Sequence, residues 1–315
     1  MSNWSTRSSV ISNVNQAKTE KMKILVLGAG GMLGSAMFSL LGGGNDFDVW
    51  GTLRDNRKLE SFDQHSHSKL VSDFDVQDIE SVRGLLARLK PDVVINCIGV
   101  IKQLAAANDA LVSIAINALL PHQLAELCAE AGARLVHFST DCVFSGKKGR
   151  YSESDFPDAN DLYGRSKFLG EVAYPHAITL RTSIIGHELG SSHSLVDWFL
   201  AQKGTCKGFT HAFFSGLPSV EHARIVRDAI LPNPQLSGLY QVAAAPISKY
   251  DLLTLVAKQY GVSTQIEPSD ALKIDRSLDG GRFNADFGYV PPDWPTLVEQ
   301  MHQQFQDRNA GNVPR

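Results

Sequence analysis

The sequence predicts an α/β protein: a doubly wound, mostly parallel sheet with a smaller C-terminal lobe. Three observations support this fold class. Residues 24–27 form a continuous apolar run, as in a parallel strand that is covered on both faces. Glycines follow at positions 28, 31 and 34, and residues 32–41 then have helical spacing. Farther along, apolar strand-like runs alternate with helical segments, which is typical of βα units joined into one parallel sheet.

The three glycines predict a turn that grips a nucleotide pyrophosphate. Gly28 permits the tight turn, Gly31 lets the backbone approach the pyrophosphate, and Gly34 lets the helix pack closely on the strand. The N–H groups at the start of that helix would face the anion. Such glycines are informative only between an apolar strand and a helix, which is where they lie here. We therefore predict a Rossmann-type dinucleotide site with contacts from Gly28, Gly31, Met32 and Leu33.

The chain divides into three predicted regions. Residues 1–21 are rich in Ser, Asn and Thr and lack an apolar core, so we expect a disordered extension; Met22 is an alternative start of the natural chain. Residues 22–182 are expected to form the dinucleotide-binding domain, with later strands and helices contributed from 220–260. Residues 183–315 are expected to form mainly a substrate-binding lobe. The predicted strand order is 3-2-1-4-5-6-7.

The composition limits which binding partners and which cellular compartment are expected for this protein. The 315 residues carry a formal charge of -3 without a dense Lys/Arg cluster, so neither nucleic acid nor an anionic membrane is expected as a partner. No uninterrupted run of 18 apolar residues is present, so no membrane span is expected. The four cysteines are scattered, which favours reduced thiols and a cytoplasmic protein. The ten histidines include no His-Glu-x-x-His motif, and no metal site is predicted.

The end of the second strand, residues 47–53, bears on the choice of cofactor. An acidic residue there would hold the adenosine ribose hydroxyls of NAD(H), whereas a basic residue accepts the 2′-phosphate of NADP(H). Here Arg54 follows the strand, and Arg57 and Lys58 come soon after it. We therefore favour NADP(H) over NAD(H). The alternative is that these basic residues form a solvated loop.

Other cofactor contacts are predicted after the third and fourth strands. Asp75 and Val76 follow the short third strand, residues 69–72, where they could contact the adenine; the alternative is a helix cap before residues 79–89. Cys97, Ile98 and Gly99 end the fourth strand, residues 93–97, where a small residue would let the cofactor lie on the strand end. A helix is predicted over residues 107–131. Asn117 lies within that helix, where asparagine is locally unfavourable. Its side chain is expected either to make specific polar contacts or to face solvent.

The fifth strand, residues 134–138, leads to the predicted catalytic residues. Thr140 stands at its carboxyl end, where catalysis on an open α/β sheet is expected. Tyr163 and Lys167 are four residues apart and so lie on one face of a helix, which is predicted to continue through Ala173. An ammonium beside a phenol lowers the phenol pKa and makes it a usable acid or base. Thr140, Tyr163 and Lys167 are therefore predicted to be catalytic, the last two also touching the cofactor.

From residue 22 to about residue 304, the chain resembles the extended short-chain dehydrogenase/reductase superfamily. Within it, residues 139–146, 151–153 and 163–171 are similar to dTDP-4-dehydrorhamnose reductases. The resemblance implies reduction of the 4-keto group of a nucleotide-linked 6-deoxyhexose for deoxysugar, lipopolysaccharide or O-antigen precursors, and it leaves a homodimer as an option. It also implies roles: Thr140 bonds the substrate carbonyl, Tyr163 donates the proton, and Lys167 binds the nicotinamide ribose while lowering the tyrosine pKa.

Two departures from related families bear on the reaction. Nucleotide-sugar 4,6-dehydratases resemble this chain but have glutamate where Cys142 stands, which counts against dehydration. GDP-fucose synthases carry a cysteine and a distant histidine, and His187 lies near the place of that histidine. One alternative is therefore a nucleotide-sugar epimerase that oxidises and re-reduces C4, or an epimerase or bifunctional epimerase/reductase that uses Cys142 as an alpha-proton base. The other reading of Cys142 is that it fills a position usually occupied by an aromatic residue. A non-catalytic NADP-binding subunit is the rival from another class.

Overall fold

The computed structural model describes residues 21–101, 109–190 and 192–310. The sequence predicts a disordered extension over residues 1–21. Of these, residues 1–20 lie outside the described residues. The strands, in chain order, are β1 Met22–Leu27, β2 Phe47–Thr52, β3 Leu70–Val71, β4 Val93–Asn96, β5 Arg134–Thr140, β6 Ala177–Thr182, β7 Ile184–Ile185, β8 Thr205–Phe214, β9 Leu217–Pro218, β10 Gly238–Gln241, β11 Ile247–Ser248 and β12 Gln265–Asp275.

The helices flank these strands. They are α1 Met32–Gly42, α2 Ile79–Leu89, α3 Ala110–Ser113, α4 Leu120–Ala131, α5 Leu162–Leu169, α6 Leu195–Leu200, α7 Ser219–Ile225, α8 Lys249–Tyr260, α9 Gly281–Phe287 and α10 Trp294–Asn309. Two π-helical segments, Ile114–Leu119 and Val226–Ile230, continue α3 and α7.

Seven parallel strands form the central sheet, in the order β10-β6-β5-β4-β1-β2-β3. Read from the other edge, this is the predicted order 3-2-1-4-5-6-7, with β10 as the seventh strand. The Rossmann-type fold class is therefore confirmed. The sheet places the carboxyl ends of β1, β4, β5 and β6 side by side, which is where most of the predicted site residues lie.

Alternate residues of β1 belong to two separate hydrophobic cores, one on each face of the sheet. Ile24 and Val26 pack with apolar side chains of α1, α7, α8 and α10. Leu25 and Leu27 pack on the opposite face with those of α2 and α4. All four side chains are completely buried. The continuous apolar run in the sequence is thus explained by a strand that is covered on both faces.

A smaller sheet builds the lobe that faces the cleft. Its order is β11-β8-β12, with β11 antiparallel and β12 parallel to β8. The lobe contributes the ends of β8 and β12 and the first residue of α8 to the space above the central sheet. The chain then returns to the larger unit, because α10 packs against both α8 and α7.

Two predicted helices differ from the structure. In the helix predicted over residues 107–131, the described part begins at Ala110 after its cap Asp109 and changes to π-helix between α3 and α4. The helix predicted to run through Ala173 ends at Leu169. Gly170 comes so close to the π-helical segment that a Cβ on it would lie 2.0 Å from the carbonyl oxygen of Asn117. This close approach fixes the end of α5.

The continuous helical stretch Ala110–Ala131 is, among the described residues, long and apolar enough to cross a bilayer by length and composition alone. In the fold, 56% of the most apolar 18-residue segment of this stretch is buried inside the protein. Its apolar character therefore fits a core helix that packs on the sheet.

Candidate active site

A cleft of about 620 Å³ opens at the carboxyl ends of β1, β4, β5 and β6 and is bounded on its other side by the small lobe. It is lined by most of the residues predicted from the sequence. These are Gly31, Met32, Leu33, Cys97, Ile98, Gly99, Thr140, Tyr163 and Lys167. The remaining predicted residues, Gly28, Arg54, Asp75 and Val76, do not line it.

The glycine turn has the geometry of a dinucleotide grip. Gly28 has φ +81°, and its N–H donates to Thr52 Oγ1 at 3.0 Å. A Cβ on Gly34 would lie 2.1 Å from the carbonyl oxygen of Gly28, so only glycine lets α1 approach β1 this closely. At Gly31, the N-cap of α1, a Cβ would meet nothing nearer than 3.5 Å. The start of the helix is thus open to the cleft, and these residues fit a pyrophosphate.

Lys58 is a cleft residue that was not among the predicted site residues. Its Nζ donates to the carbonyl oxygen of Gly30 at 2.7 Å, so its stem passes over the glycine turn. Arg54 is exposed just after β2. Arg57 is paired with Asp55, which also caps the following 3₁₀ turn. The basic cluster in the sequence was the available signal, but the spacing did not show which member turns inward.

Asp75 and Val76 lie beside the start of α2. The Asp75 carboxylate is exposed and accepts a hydrogen bond from the Gln77 N–H at 3.0 Å. Val76 is buried in the core beneath α2. The cap of α2 is Asp78, which accepts from the Ser81 N–H at 3.2 Å. Asp78, and not Asp75, is therefore the cap of α2. Contact of Asp75 and Val76 with the adenine stays a prediction.

Thr140, Tyr163 and Lys167 meet within the cleft. Thr140 ends β5, and its Oγ1 accepts from the Cys142 N–H and donates to Asp141 Oδ1, both at 3.1 Å. Tyr163 lines the same cleft, and the interaction of its phenol with Thr140 lowers the phenol pKa against the larger effect of burial. Lys167 Nζ donates to the carbonyl oxygen of Phe138 at 2.8 Å, two residues before Thr140 on the same strand. A strand-end hydroxyl, a phenol and an ammonium therefore converge as the sequence predicts.

Burial shifts the pKa values of the helical pair in opposite directions. It raises the pKa of the Tyr163 phenol, and the neighbouring Cys142 and Asp141 raise it further. The expected lowering of the tyrosine pKa by Lys167 is therefore not the net effect in this structure. Burial lowers the pKa of Lys167 to about 8, against an opposing effect of Glu171. At neutral pH the phenol keeps its proton and the ammonium keeps its charge.

The lobe side of the cleft brings two cations, Lys249 and Arg276, to the acid that follows Thr140 at the end of β5. Asp141 is buried, and its pKa is raised by burial against the opposing charges of Arg276 and Lys249. Arg276 is held by a bond from its Nε to the carbonyl oxygen of Phe144 at 2.9 Å. Lys249 and Arg276 were missed in the sequence because they come from distant segments without a motif. Burial raises the pKa of the Cys142 thiol to about 12, so it is a thiol at neutral pH.

His187 lies behind the cleft instead of lining it. Its Nδ1 is bonded to Asp197 Oδ1, and its Nε2 is 2.7 Å from the Tyr260 hydroxyl. Both ring nitrogens are therefore engaged, and His187 does not form a catalytic pair with Cys142. In the described part of the chain, no three or more His, Cys, Asp or Glu side chains are grouped as metal ligands.

Asn117 makes specific polar contacts and does not face solvent. It is 1% exposed, its Oδ1 accepts from the Val100 N–H at 2.9 Å, and its Nδ2 donates to the Val100 carbonyl at 3.2 Å and to Ser166 Oγ at 3.3 Å. It thus joins the segment after β4 to α5. The π-helical turn around it supplies the room for this side chain between the two.

This chain is similar to known proteins over most of its length. The family model described as RmlD substrate binding domain matches residues 22–307. The probable low-salt glycan biosynthesis reductase Agl14 of Haloferax volcanii is 32% identical over 92% of this chain and 100% of its own length. The dTDP-4-dehydrorhamnose reductase of Aggregatibacter actinomycetemcomitans is 26% identical over 89% of this chain and 98% of its own length.

A solved structure shares the fold. The dTDP-4-dehydrorhamnose reductase from Bacillus anthracis, in complex with NADP, has a TM-score of 0.73 with this chain. The match covers 90% of this chain and 100% of that one at 20% sequence identity. The two chains therefore share their fold over most of their length.

Proposed function

The chain belongs to the RmlD substrate binding domain family, and from that membership we propose that it is an NADPH-dependent reductase of the 4-keto group of a nucleotide-linked 6-deoxyhexose. The observation that carries the proposal is the meeting of Thr140, Tyr163 and Lys167 in one cleft above the glycine turn. The product would enter the biosynthesis of deoxysugar and polysaccharide precursors. This role extends to the chain what the names of its relatives say of them.

Tyr163 is the proton donor in this proposal. Its raised pKa keeps the phenol protonated at neutral pH, which is the form that a reduction needs, since the carbonyl oxygen must gain a proton. A bound reduced nicotinamide would supply the hydride. Thr140 would bond the same carbonyl oxygen: its proton is directed to Asp141 Oδ1 at 3.1 Å, and the substrate would compete for it.

Lys167 would hold the ribose hydroxyls next to the nicotinamide. Its Nζ donates to the Phe138 carbonyl, and an ammonium carries two further N–H donors with which it would bind the ribose. A Cβ on Gly99 would lie 3.9 Å from this Nζ, so the bare backbone of Gly99 borders the same space. Gly31, Met32 and Leu33 would hold the pyrophosphate at the start of α1, and Cys97 and Ile98 would border the ring.

NADPH is favoured over NADH by the charges around the end of β2. Asp55 is the first carboxylate after β2 in the sequence, but it accepts hydrogen bonds from the Arg57 N–H and guanidinium. Lys58 reaches the glycine turn, and Arg54 is exposed shortly after the end of β2. A 2′-phosphate would therefore meet two cations.

A Cys142-dependent epimerase is the second candidate, because Cys142 lines the cleft beside Thr140. A base must be deprotonated, and a thiol with a pKa of about 12 is rarely so at neutral pH. Incubation in D₂O distinguishes the two: an alpha-proton base would introduce deuterium at a substrate carbon. The reductase predicts no such exchange.

The proposal is tested by following NADPH absorbance while dTDP-, UDP- and GDP-linked 4-keto-6-deoxysugars are offered in turn, and then with NADH. Stoichiometric oxidation of NADPH with one of them is expected. Binding of NADPH without turnover of any of these sugars would instead favour a non-catalytic NADP-binding subunit.

The compartment and assembly are also proposals. The four cysteines are free thiols, as expected in the reducing cytoplasm, where we place the enzyme. A homodimer stays a prediction.

A further inference from the structure

Two buried polar side chains, Asn96 and His137, lie side by side near the carboxyl ends of two central strands. Asn96 is the last residue of β4, and His137 is its register partner on β5. The two residues are 1% and 0% exposed. Asn96 Nδ2 and His137 Nδ1 are 3.1 Å apart, which is a hydrogen bond between the side chains. Asn96 lines the cleft, whereas His137 lies behind it.

The direction of this hydrogen bond is set by the backbone that follows β4. Asn96 Oδ1 accepts from the Ile98 N–H at 3.0 Å. A backbone N–H can only donate, so the carboxamide oxygen faces Ile98 and the NH₂ group faces the imidazole. Asn96 Nδ2 is therefore the donor, and His137 Nδ1 is the acceptor.

The accepting nitrogen fixes the protonation state of the His137 ring. A neutral imidazole has one N–H, so the proton is on Nε2 when Nδ1 accepts. An imidazolium would set an Nδ1–H against the Asn96 NH₂ group and break the bond between them. Burial, and after it the nearby Lys167 of α5 and His122 of α4, holds the pKa of His137 well below its ordinary value. The hydrogen bonds and the surroundings thus favour the same neutral ring.

The same hydrogen bonds shape the cofactor side of the cleft, which Cys97 and Ile98 line just after β4. The bond from Ile98 to Asn96 is an Asx turn, in which a side chain accepts from the backbone two residues on. Ile98 lies against the glycine turn, since a Cβ on Gly28 would be 2.8 Å from Ile98 Cγ1. The Cys97 N–H donates to the Leu27 carbonyl at 3.1 Å. A rotated Asn96 carboxamide would therefore release Ile98 from its place beside the glycine turn.

We infer that His137 is a positioning residue for the cofactor side of the cleft: as the neutral Nε2–H tautomer it orients the Asn96 carboxamide, which holds Ile98 against the glycine turn. The expected effect on NADPH binding rests on the proposed function, whereas the tautomer and the orientation of Asn96 do not. A ring that only filled space between strands would be indifferent to which of its nitrogens carries the proton.

The tautomer is measured by NMR of the imidazole nitrogens in the full-length protein labelled with ¹⁵N-histidine. The His137 signals are assigned by their loss in His137→Asn. From about pH 6 to about pH 8, a proton is expected on Nε2 and none on Nδ1. In Asn96→Asp a carboxylate oxygen replaces the donor, so a proton is expected on Nδ1. A wild-type ring with a proton on Nδ1, or an unchanged tautomer in folded N96D, would overturn the inference.

NADPH affinity is compared in two variants of His137. Asparagine can place its carboxamide oxygen where Nδ1 accepts, so H137N keeps the acceptor, whereas H137L removes it and leaves the Asn96 NH₂ group unpaired. The Kd of NADPH, from cofactor fluorescence, is expected to rise about tenfold or more in H137L and to stay within about threefold of the wild type in H137N. Equal losses in the two variants, or a folded H137L with wild-type affinity, would contradict the role of the acceptor.

His176→Leu is the matched control. His176 precedes β6 at the opposite, amino end of the sheet, and its Nε2 lies 2.7 Å from the Ala125 carbonyl oxygen. Its loss removes a histidine hydrogen bond far from the cleft, so the NADPH affinity of H176L is expected to match the wild type. A loss as large as that in H137L would show general destabilisation and would count against the inference.

The ring tautomer needs neither substrate nor cofactor, so it separates the two claims. A wild type that binds NADPH but turns over no 4-ketosugar counts against the proposed function. The His137 tautomer in the wild type and in N96D still decides the inference, also where H137L does not fold.

Discussion

Tyr163 and Lys167 are brought by one helix turn into the same buried space, and burial moves each toward its neutral form. The phenol becomes a weaker acid, and the ammonium gives up its proton more easily, with a pKa of about 8. The two charge states that a reductase needs, a neutral phenol and a cationic lysine, therefore coexist below that pH. As the pH rises above that value, the positive charge of Lys167 is lost before the phenol proton of Tyr163.

The pH dependence of activity follows from Lys167. Its cation is present below a pH of about 8 and is lost as the pH rises through that value, so turnover and NADPH affinity are expected to decline there. Initial rates from about pH 6 to about pH 10 measure the decline. Lys167→Arg, which keeps the charge, should move it to higher pH. A wild-type profile that stays flat up to about pH 10 would contradict the assignment.

Lys58 is expected to select the phosphorylated cofactor. Lys58→Met removes a cation beside the glycine turn, so the KM for NADPH should rise about tenfold or more while the KM for NADH changes little. The matched control is Lys69→Met, a lysine whose ammonium pairs with Asp48 away from the cleft. Equal effects of Lys58→Met on both cofactors would show that Lys58 does not contact the 2′-phosphate.

Residue identity could be predicted from the sequence where a local motif exists. The glycine turn, Thr140 and the Tyr163–Lys167 pair are read from short spacings, and the structure brings them to one cleft. Lys249 and Arg276 could not be found this way, because they meet Asp141 only through the folding of the small lobe. The net direction of the Tyr163 pKa also depends on burial, which local spacing does not reveal.

Helix α1 depends on a glycine at its closest approach to β1. Gly34→Ala would place a Cβ 2.1 Å from the Gly28 carbonyl oxygen, and this contact is with backbone that cannot turn away. We expect a loss of about 2 kcal/mol or more in the free energy of unfolding, together with loss of NADPH binding. Denaturant titration and cofactor fluorescence measure the two effects.

Gly84→Ala on α2 is the matched control, since a Cβ there meets nothing within 4 Å. Alanine in an open helix position should stabilise the protein by about 0.5–1 kcal/mol. If Gly34→Ala were as stable as Gly84→Ala, the close packing of α1 on β1 would be wrong.

The spacing of apolar residues predicts some helices well but misses features that depend on distant contacts. Residues 79–89 match α2 as predicted, because apolar spacing and an aspartate cap agree there. The π-helical turn around Asn117 has no signature in apolar spacing, and α5 ends because Gly170 meets the backbone of Asn117. Both features depend on contacts between segments about fifty residues apart.

The later part of the chain returns to the central sheet and packs against its first elements. The seventh strand, β10, pairs with β6, and α7 packs on α1. Arg134 at the start of β5 donates to the carbonyls of Ile230 and Leu236, both at 2.6 Å. The small lobe was the least predictable part, because β12 is largely exposed and polar and its position depends on pairing with β8.

A fragment of residues 22–182 is therefore expected not to fold alone. It lacks β10 and α7, so the edge of β6 and the apolar face of α1 would be left uncovered. The matched control is a chain of residues 21–310, which keeps every described element and should bind NADPH like the full-length protein. Circular dichroism and cofactor titration are measured on both. A stable 22–182 fragment that binds NADPH would show an autonomous first domain.

The most direct test of the central claim is the rate of NADPH oxidation by Tyr163→Phe with the 4-ketosugar that the wild type reduces. Loss of the phenolic proton donor is expected to lower turnover by about a hundredfold or more, with NADPH affinity largely kept, because the ring and Lys167 remain. Turnover within about threefold of the wild type would contradict Tyr163 as the proton donor and with it the proposed mechanism.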